Sequence, residues 1–189
     1  MTKTLNLNPN GSNGRVSDLS ANEPKWYAVY TRSRFEKKLY QDFQKAKIQA
    51  FLPMIKEKRK WSDRLKTILM PLLPSYIFVK VPQKSLQQIY YYPGVVRLVS
   101  FEGKPCEIKE EEITLLEKIV QCGFNVQTTT RCGVGDLVKI VRGPLTGWEG
   151  KVEGLRGQSR IVFQLECIQQ ALSVEMDMGD VQKLKITNA

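Results

Sequence analysis

In two stretches of the chain apolar residues run almost without interruption, so that, with side chains alternating between faces at a period of two, each stretch is apolar on both faces. In WYAVYT, residues 26–31, Trp26, Ala28 and Tyr30 share one face and Tyr27 and Val29 the other. In LMPLLPSYIFVKV, residues 69–81, Ile77, Val79 and Val81 point one way from Ser75 onward, and Tyr76 and Phe78 the other. Pro71 and Pro74 have no place in a central ladder, so this strand is predicted to start near Ser75. A strand at one side of a small domain ordinarily keeps one polar face. Doubly apolar strands are therefore either covered by a second layer or present a docking patch, and the pattern alone allows both.

Elsewhere the period changes. In SRFEKKLYQDFQKAK, residues 33–47, Phe35, Leu39, Phe43 and Ala46 recur at helical spacing as a buried stripe, and Ser33 and Glu36 stand at capping-box distance. Ile48 to Ile55 reads as a strand broken near Pro53. Lys84 to Tyr92 reads as a short helix with Ser85 as its cap, ended by Pro93-Gly94. Val95 to Phe101 is a further strand, followed by a turn at Glu102-Gly103-Lys104. Lys109 to Val120 is a helix with Ile113, Leu116 and Ile119 or Val120 inward, and Glu110, Glu111 and Glu112 lie in its first turn, where the dipole favours anions. This order predicts one α+β domain over residues 25–120 with its helices on one sheet face. Residues 1–24 are rich in Asn, Ser and Gly without a period and read as a disordered tail. Residues 121–131 read as a linker. Residues 132–186 are β-periodic throughout, and five short strands predict a small barrel with Ile161, Phe163, Leu165 and Cys167 facing its core.

Charge sharpens the division. The net charge is +10, and residues 24–120 carry 19 basic against 10 acidic groups, while residues 131–189 carry 8 against 7. The basic first domain suits an anionic partner such as nucleic acid. Within it, KEKRKWSDRLK, residues 56–66, has six basic and two acidic residues. That segment is either a mobile hairpin or basic arm able to meet phosphates or an exposed solubilising loop. Arg32, Arg34, Lys37 and Lys38 cluster at the start of the first helix; such cations are more commonly a solvated helix face, but here they oppose the dipole, a mild cost that slightly favours a functional role.

Several chemistries are excluded by composition. The chain has no histidine, and Cys106, Cys122, Cys132 and Cys167 include no C-x-x-C pair. A structural zinc site and histidine-dependent nucleophilic catalysis are not expected. Scattered cysteines without an apolar leader read as reduced thiols in a cytoplasmic protein. No apolar run reaches membrane-spanning length. The glutamates at 110–112 serve the helix dipole better than acid–base chemistry, so no catalytic residue, cofactor or metal is assigned.

Over nearly all of residues 25–186, in order, the chain resembles the NusG family of bacterial transcription elongation factors. WYAVYT, MPLLPSYIFVKV and PGVVRLVSF are similar to the family's N-terminal (NGN) domain. GDLVKIVRGPLTGWEGKVEGL, residues 135–155, is similar to the KOW motif, with its turn at Gly143, Pro144, Gly147 and Gly150 in register. The resemblance implies an α+β NGN domain followed by a small SH3-like β-barrel KOW domain. It also implies that Tyr30, Leu73, Tyr76 and Phe78 form an apolar patch for the clamp helices of the largest subunit of RNA polymerase. Ser85, Leu86, Gln87 and Gln88 would meet the polymerase gate loop. Two such contacts would favour the closed, active polymerase and suppress pausing or termination, a population shift without chemistry. The family often has Phe at position 73 and Gly or Asn at position 75.

YTRSRFEKKLYQDFQKAKIQAFLPMIKEKRK looks closer to the specialised branch, which includes RfaH and the UpxY-type regulators of capsular polysaccharide operons. In that branch Arg32, Arg34 and Lys38, with Lys37 beside them, would meet displaced non-template DNA. The β propensity of Val138, Ile140, Val152, Ile161, Val162 and Phe163 predicts a resting barrel rather than an RfaH-type helical hairpin. The barrel's partners in the family are ribosomal protein S10 and Rho, and the chain is expected to be a monomer with no membrane partner. The alternatives are a housekeeping elongation factor and a KOW-containing ribosome- or RNA-binding protein. The near-neutral second domain disfavours the latter, because phosphate neutralisation needs clustered cations.

Overall fold

The computed structural model describes residues 22–61, 64–129, 135–155 and 158–184, with the side chains of 58–65 and 154–158 outside that description. The expected tail at residues 1–24 lies almost wholly outside the described residues.

The two doubly apolar stretches pair with each other. Strand β1 (Pro24–Thr31) lies antiparallel to β5 (Tyr76–Pro82), with Val29 opposite Ile77 and Tyr30 opposite Tyr76. With β2 (Gln49–Phe51) and β6 (Val95–Leu98) they form the sheet order β2-β5-β1-β6, and β9 (Glu107–Ile108) adds to the end of β1. One face of this sheet, Tyr27, Val29, Ile77 and Val79, packs with Leu39 and Phe43 of α1 (Glu36–Lys45) and with Leu86 and Ile89 of α2 (Leu86–Ile89). The other face, Trp26, Ala28 and Phe78, shares a cluster with Ile113, Leu116 and Ile119 of α3 (Glu110–Cys122). Helices thus cover both faces, not one as the element order suggested. The physical reason is the strands themselves, since each apolar face needs its own cover.

Two expectations about α1 also change. The helix starts at Glu36, after Arg34 in the left-handed region (φ 68°) and an N-cap at Phe35 with no side-chain cap. The Ser33–Glu36 capping box does not form, because the Glu36 carboxylate is turned to another partner. Ala46 is an exposed C-cap rather than part of the buried stripe. For α3, by contrast, Lys109 N–H donates to the Glu112 carboxylate at 3.0 Å, which closes its first turn. Of residues 56–66, those described, 56–61 and 64–66, belong to a two-stranded antiparallel ribbon of β3 (Met54–Trp61) and β4 (Arg64–Pro71). Two short strands, β7 (Ser100–Phe101) and β8 (Lys104–Pro105), form the hairpin around the expected turn.

The second domain is one curled antiparallel sheet of order β10-β14-β13-β12-β11-β15. Its strands are β10 (Val126–Thr129), β11 (Leu137–Ile140), β12 (Glu149–Leu155), β13 (Gln158–Leu165), β14 (Gln170–Glu175) and β15 (Val181–Lys183). Val138, Ile140, Leu145, Ile161, Phe163, Leu165, Leu172 and Val174 form its interior. Of the stretch expected as a linker, 121–131, the described residues 121–129 instead hold the end of α3 and β10, which pairs with β14 from Val126 to Thr129, and 130–131 lie outside the described residues. The buried Arg160 fixes this entry: it donates to Ser173 Oγ at 2.8 Å and Ser173 O at 2.7 Å, and reaches Asn125 O at 3.1 Å. Gly143 and Gly147 adopt φ of 86° and 94°, which closes the β11–β12 turn without strain.

Candidate docking face and nucleic-acid interface

The register of β1 and β5 places Tyr30 and Tyr76 side by side at one end of the sheet. Their rings meet edge to face with centroids 5.3 Å apart, and the Arg97 guanidinium of β6 lies 5.4 Å from the Tyr30 ring. Both tyrosines are half-buried, and burial, with Tyr30 beside it, raises the Tyr76 phenol above its ordinary pKa. Leu73 and Phe78 are each only 1% exposed, and Phe78 stacks on Phe51 with centroids 6.3 Å apart. Of the four patch positions, the two tyrosines reach the surface, while Leu73 and Phe78 form the floor beneath.

The turn before β5 is held by a residue that the sequence pattern assigned elsewhere. Ser75 sits at φ 66°, and its N–H donates to the Glu36 carboxylate at 2.8 Å. Its carbonyl accepts from Thr31 N–H at 2.8 Å. Glu36, buried although charged, thereby ties the start of α1 to the end of β1 and to the Tyr76 strand.

The cations at the start of α1 divide. Arg32, Arg34 and Lys38 are exposed. Lys37 donates to Leu69 O at 2.7 Å and so braces the β3–β4 ribbon. Arg32 N–H donates to Gly94 O at 2.8 Å, which joins this turn to the loop after α2. Gly94 packs against Phe35 so closely that a Cβ there would lie 2.5 Å from the ring. The same loop displays Tyr91, 84% exposed, an aromatic that the sequence reading did not select. Gln87 and Gln88 point outward from α2, Ser85 is half-buried and Leu86 is buried. Because α2 covers the sheet face opposite Phe78, these positions do not merge with the tyrosine pair.

The second domain packs onto the first at this same end. Trp26, Ala28, Leu72, Leu73 and Phe78 belong to one continuous apolar cluster with Leu165, Ile168 and Leu172 of the second domain. A cavity of about 740 Å³ lies between them, walled by Tyr76, Arg97 and Val99 on one side and Glu166, Ile168 and Gln169 on the other. Cys106 and Cys167 bridge the two domains as a disulfide, with Cα atoms 5.8 Å apart. This corrects the reading of both as reduced thiols. It also corrects the placement of Cys167 in the barrel core, since β13 stops at Leu165 and a 3-10 turn (Glu166–Ile168) carries the residue outward. Cys122 is free and exposed, and Cys132 lies outside the described residues.

Among the described residues, no group of three or more His, Cys, Asp or Glu side chains could hold a metal ion, and no helix is long and apolar enough to cross a membrane. The KOW turn is exposed at Gly143, Pro144 and Gly147, where Thr146 Oγ1 donates to Gly143 O at 2.6 Å, while Gly150 is buried.

Comparison with known proteins agrees with this architecture. The family model described as "Transcription termination factor nusG" matches residues 24–117. The chain is similar to the "Transcription termination/antitermination protein NusG" of Rickettsia prowazekii (strain Madrid E), 25% identical over 184 residues, 86% of this chain and 91% of that one. It is similar to the protein of the same description from Staphylococcus aureus (strain Mu50 / ATCC 700699), 24% identical over 176 residues, 85% of this chain and 96% of that one. A solved structure described as "Domain interaction in Thermotoga maritima NusG" superposes with a TM-score of 0.52 at 21% identity, covering 87% of this chain and 99% of that chain. The fold is therefore an α+β NGN domain followed by a small KOW-type β-barrel.

Proposed function

We propose, on the premise that residues 24–117 are a NusG-family domain, that this chain binds RNA polymerase and suppresses transcriptional pausing or termination. The observation that carries the reading is the Tyr30–Tyr76 pair, half-buried at the sheet end with Arg97 over Tyr30. Rigid aromatics flanked by Arg are the side chains that dominate protein interfaces, each worth about 2 kcal/mol or more when fully covered. A pair of clamp helices laid across that end would cover both rings, with Leu73 and Phe78 as the floor. Ser85, Gln87 and Gln88 offer the second polymerase contact, toward the gate loop.

Arg32, Arg34 and Lys38 are assigned to the displaced non-template strand, with Lys37 contributing through the ribbon that it braces. Reading single-stranded bases there would make the chain an operon-specific antiterminator of the UpxY kind, acting on polysaccharide operons. Uniform occupancy across most transcription units in a chromatin map would instead identify a general elongation factor. The second domain, through its KOW face, would recruit ribosomal protein S10 or Rho.

The test is capture by purified core polymerase under reducing conditions. Tyr30→Ala/Tyr76→Ala should lose capture while keeping the wild-type circular dichroism spectrum. Phe78→Ala is the poorer test, because removing a buried Phe costs about 3–5 kcal/mol of stability by itself. Undiminished capture by the tyrosine variant would place the docking surface elsewhere.

A further inference from the structure

We propose that Cys106 and Cys167 form a redox-responsive modification site, a thiol–disulfide couple that locks the second domain over the docking face. The polymerase consequence rests on the proposed function; the lock itself does not.

The two cysteines have different supports. Cys106 N–H donates to Val99 O at 2.9 Å, and Val99 N–H donates to Ala28 O of the central strand at 2.9 Å. That cysteine is anchored to the sheet carrying Tyr30 and Tyr76. Cys167 rides on the 3-10 turn between β13 and β14, a connection of the second domain. The bond spans 61 residues of sequence and joins the two domains at the wall of the cavity that Tyr76 lines. Both cysteines are half-buried and line that cavity, which gives a small thiol or disulfide a route toward the sulfurs.

Position decides what the bond does. A disulfide inside one domain would brace a core, whereas this one fixes the spacing between two. While it is intact, the 3-10 turn at Glu166–Ile168 is held facing Tyr76 and Arg97 across the cavity, and the second domain stands in the way of helices approaching the tyrosine pair from that side. Once it is reduced, the domains are held by an apolar contact and the connecting chain, an equilibrium that a partner can shift. Among thiol reductants, a disulfide of this kind acts as a sensor rather than as permanent structure.

The chemistry balances with a low-molecular-weight disulfide as oxidant. One protein thiolate attacks a sulfur of the small disulfide, a mixed disulfide forms and one small thiolate leaves. The second protein thiolate then attacks the protein sulfur of that mixed disulfide and expels the other small thiolate. Two protein thiols become one disulfide, and one small disulfide becomes two small thiols. An excess of small thiol runs the sequence backwards.

The experiment uses the full chain as wild type and as Cys106→Ser/Cys167→Ser, each exposed to oxidised or reduced glutathione. Three quantities are read: alkylation of Cys106 and Cys167 by mass spectrometry, rotational correlation times of the two domains by NMR relaxation, and capture by core polymerase. Oxidised wild type should protect both cysteines and tumble as one body. Reduced wild type should label both, with the domains tumbling separately for a measurable fraction of the time. Capture should fall at least about tenfold on oxidation, the shift expected when an accessible minor state is removed. The double serine variant, which has neither thiol to label, should ignore glutathione in tumbling and in capture. Free labelling of both cysteines in oxidised glutathione overturns the proposal, as does an oxidised chain whose tumbling matches the reduced one. Equal capture of oxidised and reduced wild type overturns the gating. If no form, including the serine variant, captures polymerase, the proposed function fails, and the labelling and tumbling still decide the lock.

Discussion

Replacing Glu36 with alanine tests how the docking face is held in place. Its carboxylate accepts the Ser75 N–H at 2.8 Å in a buried position, and Ser75 in turn accepts the Thr31 N–H at 2.8 Å. Hydrogen bonds to charged groups contribute about 1.5–3 kcal/mol, and the orphaned Ser75 N–H would be poorly solvated. Loss of a carboxylate from the first turn of α1 removes a further ~0.3–1 kcal/mol of favourable dipole interaction. Glu36→Ala should therefore destabilise the chain by about 2–4 kcal/mol. Glu36→Gln keeps an acceptor and should cost about 1 kcal/mol. Ser75→Gly makes the opposite test: relief of the left-handed backbone at φ 66° is worth about 1–2 kcal/mol, less ~0.5–1 kcal/mol for the freer unfolded chain. That variant should be neutral or slightly more stable. The assay is urea unfolding with reductant present, followed by tryptophan fluorescence and circular dichroism, comparing midpoints at constant slope. Glu36→Ala within about 0.5 kcal/mol of wild type would refute the reasoning, because surface substitutions behave that way.

Two further outcomes follow from the geometry. A Cβ on Gly150 would lie 2.6 Å from Ile161 Cγ2 and 2.9 Å from Val162 O, so Gly150→Ala should destabilise the second domain by about 1–3 kcal/mol of overpacking, read from methyl NMR signals during thermal unfolding. In a carboxyl NMR titration Glu110, lowered by its hydrogen bond from Lys80, should titrate below Glu112, raised by burial. The signs then oppose. Glu110 stabilises the fold above its unfolded pKa and loses that contribution as pH falls through its folded pKa. Glu112 favours the fold while protonated and loses that contribution as pH rises from its unfolded to its folded pKa. Glu112 titrating below Glu110 would show that one of these contacts is absent in solution.

Much of this fold was legible because its strands announce themselves. WYAVYT and YIFVKV alternate on both faces, and their pairing produced the central sheet and the Tyr30–Tyr76 neighbourhood. What alternation does not encode is what covers each face, and so α3 was assigned to the wrong layer. Residues 126–129 were read as linker because Val-Gln-Thr-Thr is polar, yet Thr and Val suit an edge strand and β14 had an unpaired edge to fill. Glu36 was read as a local cap because the capping-box spacing is a short-range signal, whereas its partner lies 39 residues away. The Cys106–Cys167 bond was hidden for the same reason, since spacing along the chain carries no information about two domains that fold onto each other. Among the candidate cations, Lys37 is committed to a backbone carbonyl 32 residues away, which a helical wheel does not show.

The central claim is that the end of the sheet carrying Tyr30 and Tyr76 meets polymerase. The most direct measurement places a photo-crosslinking amino acid at position 76 of the full chain, reduced, and irradiates it with a core polymerase elongation complex. The account expects a crosslink within the clamp helices of the largest subunit, lost when excess unlabelled wild type competes. Crosslinks confined to other subunits or to nucleic acid, or absent while position 88 crosslinks strongly, would contradict it.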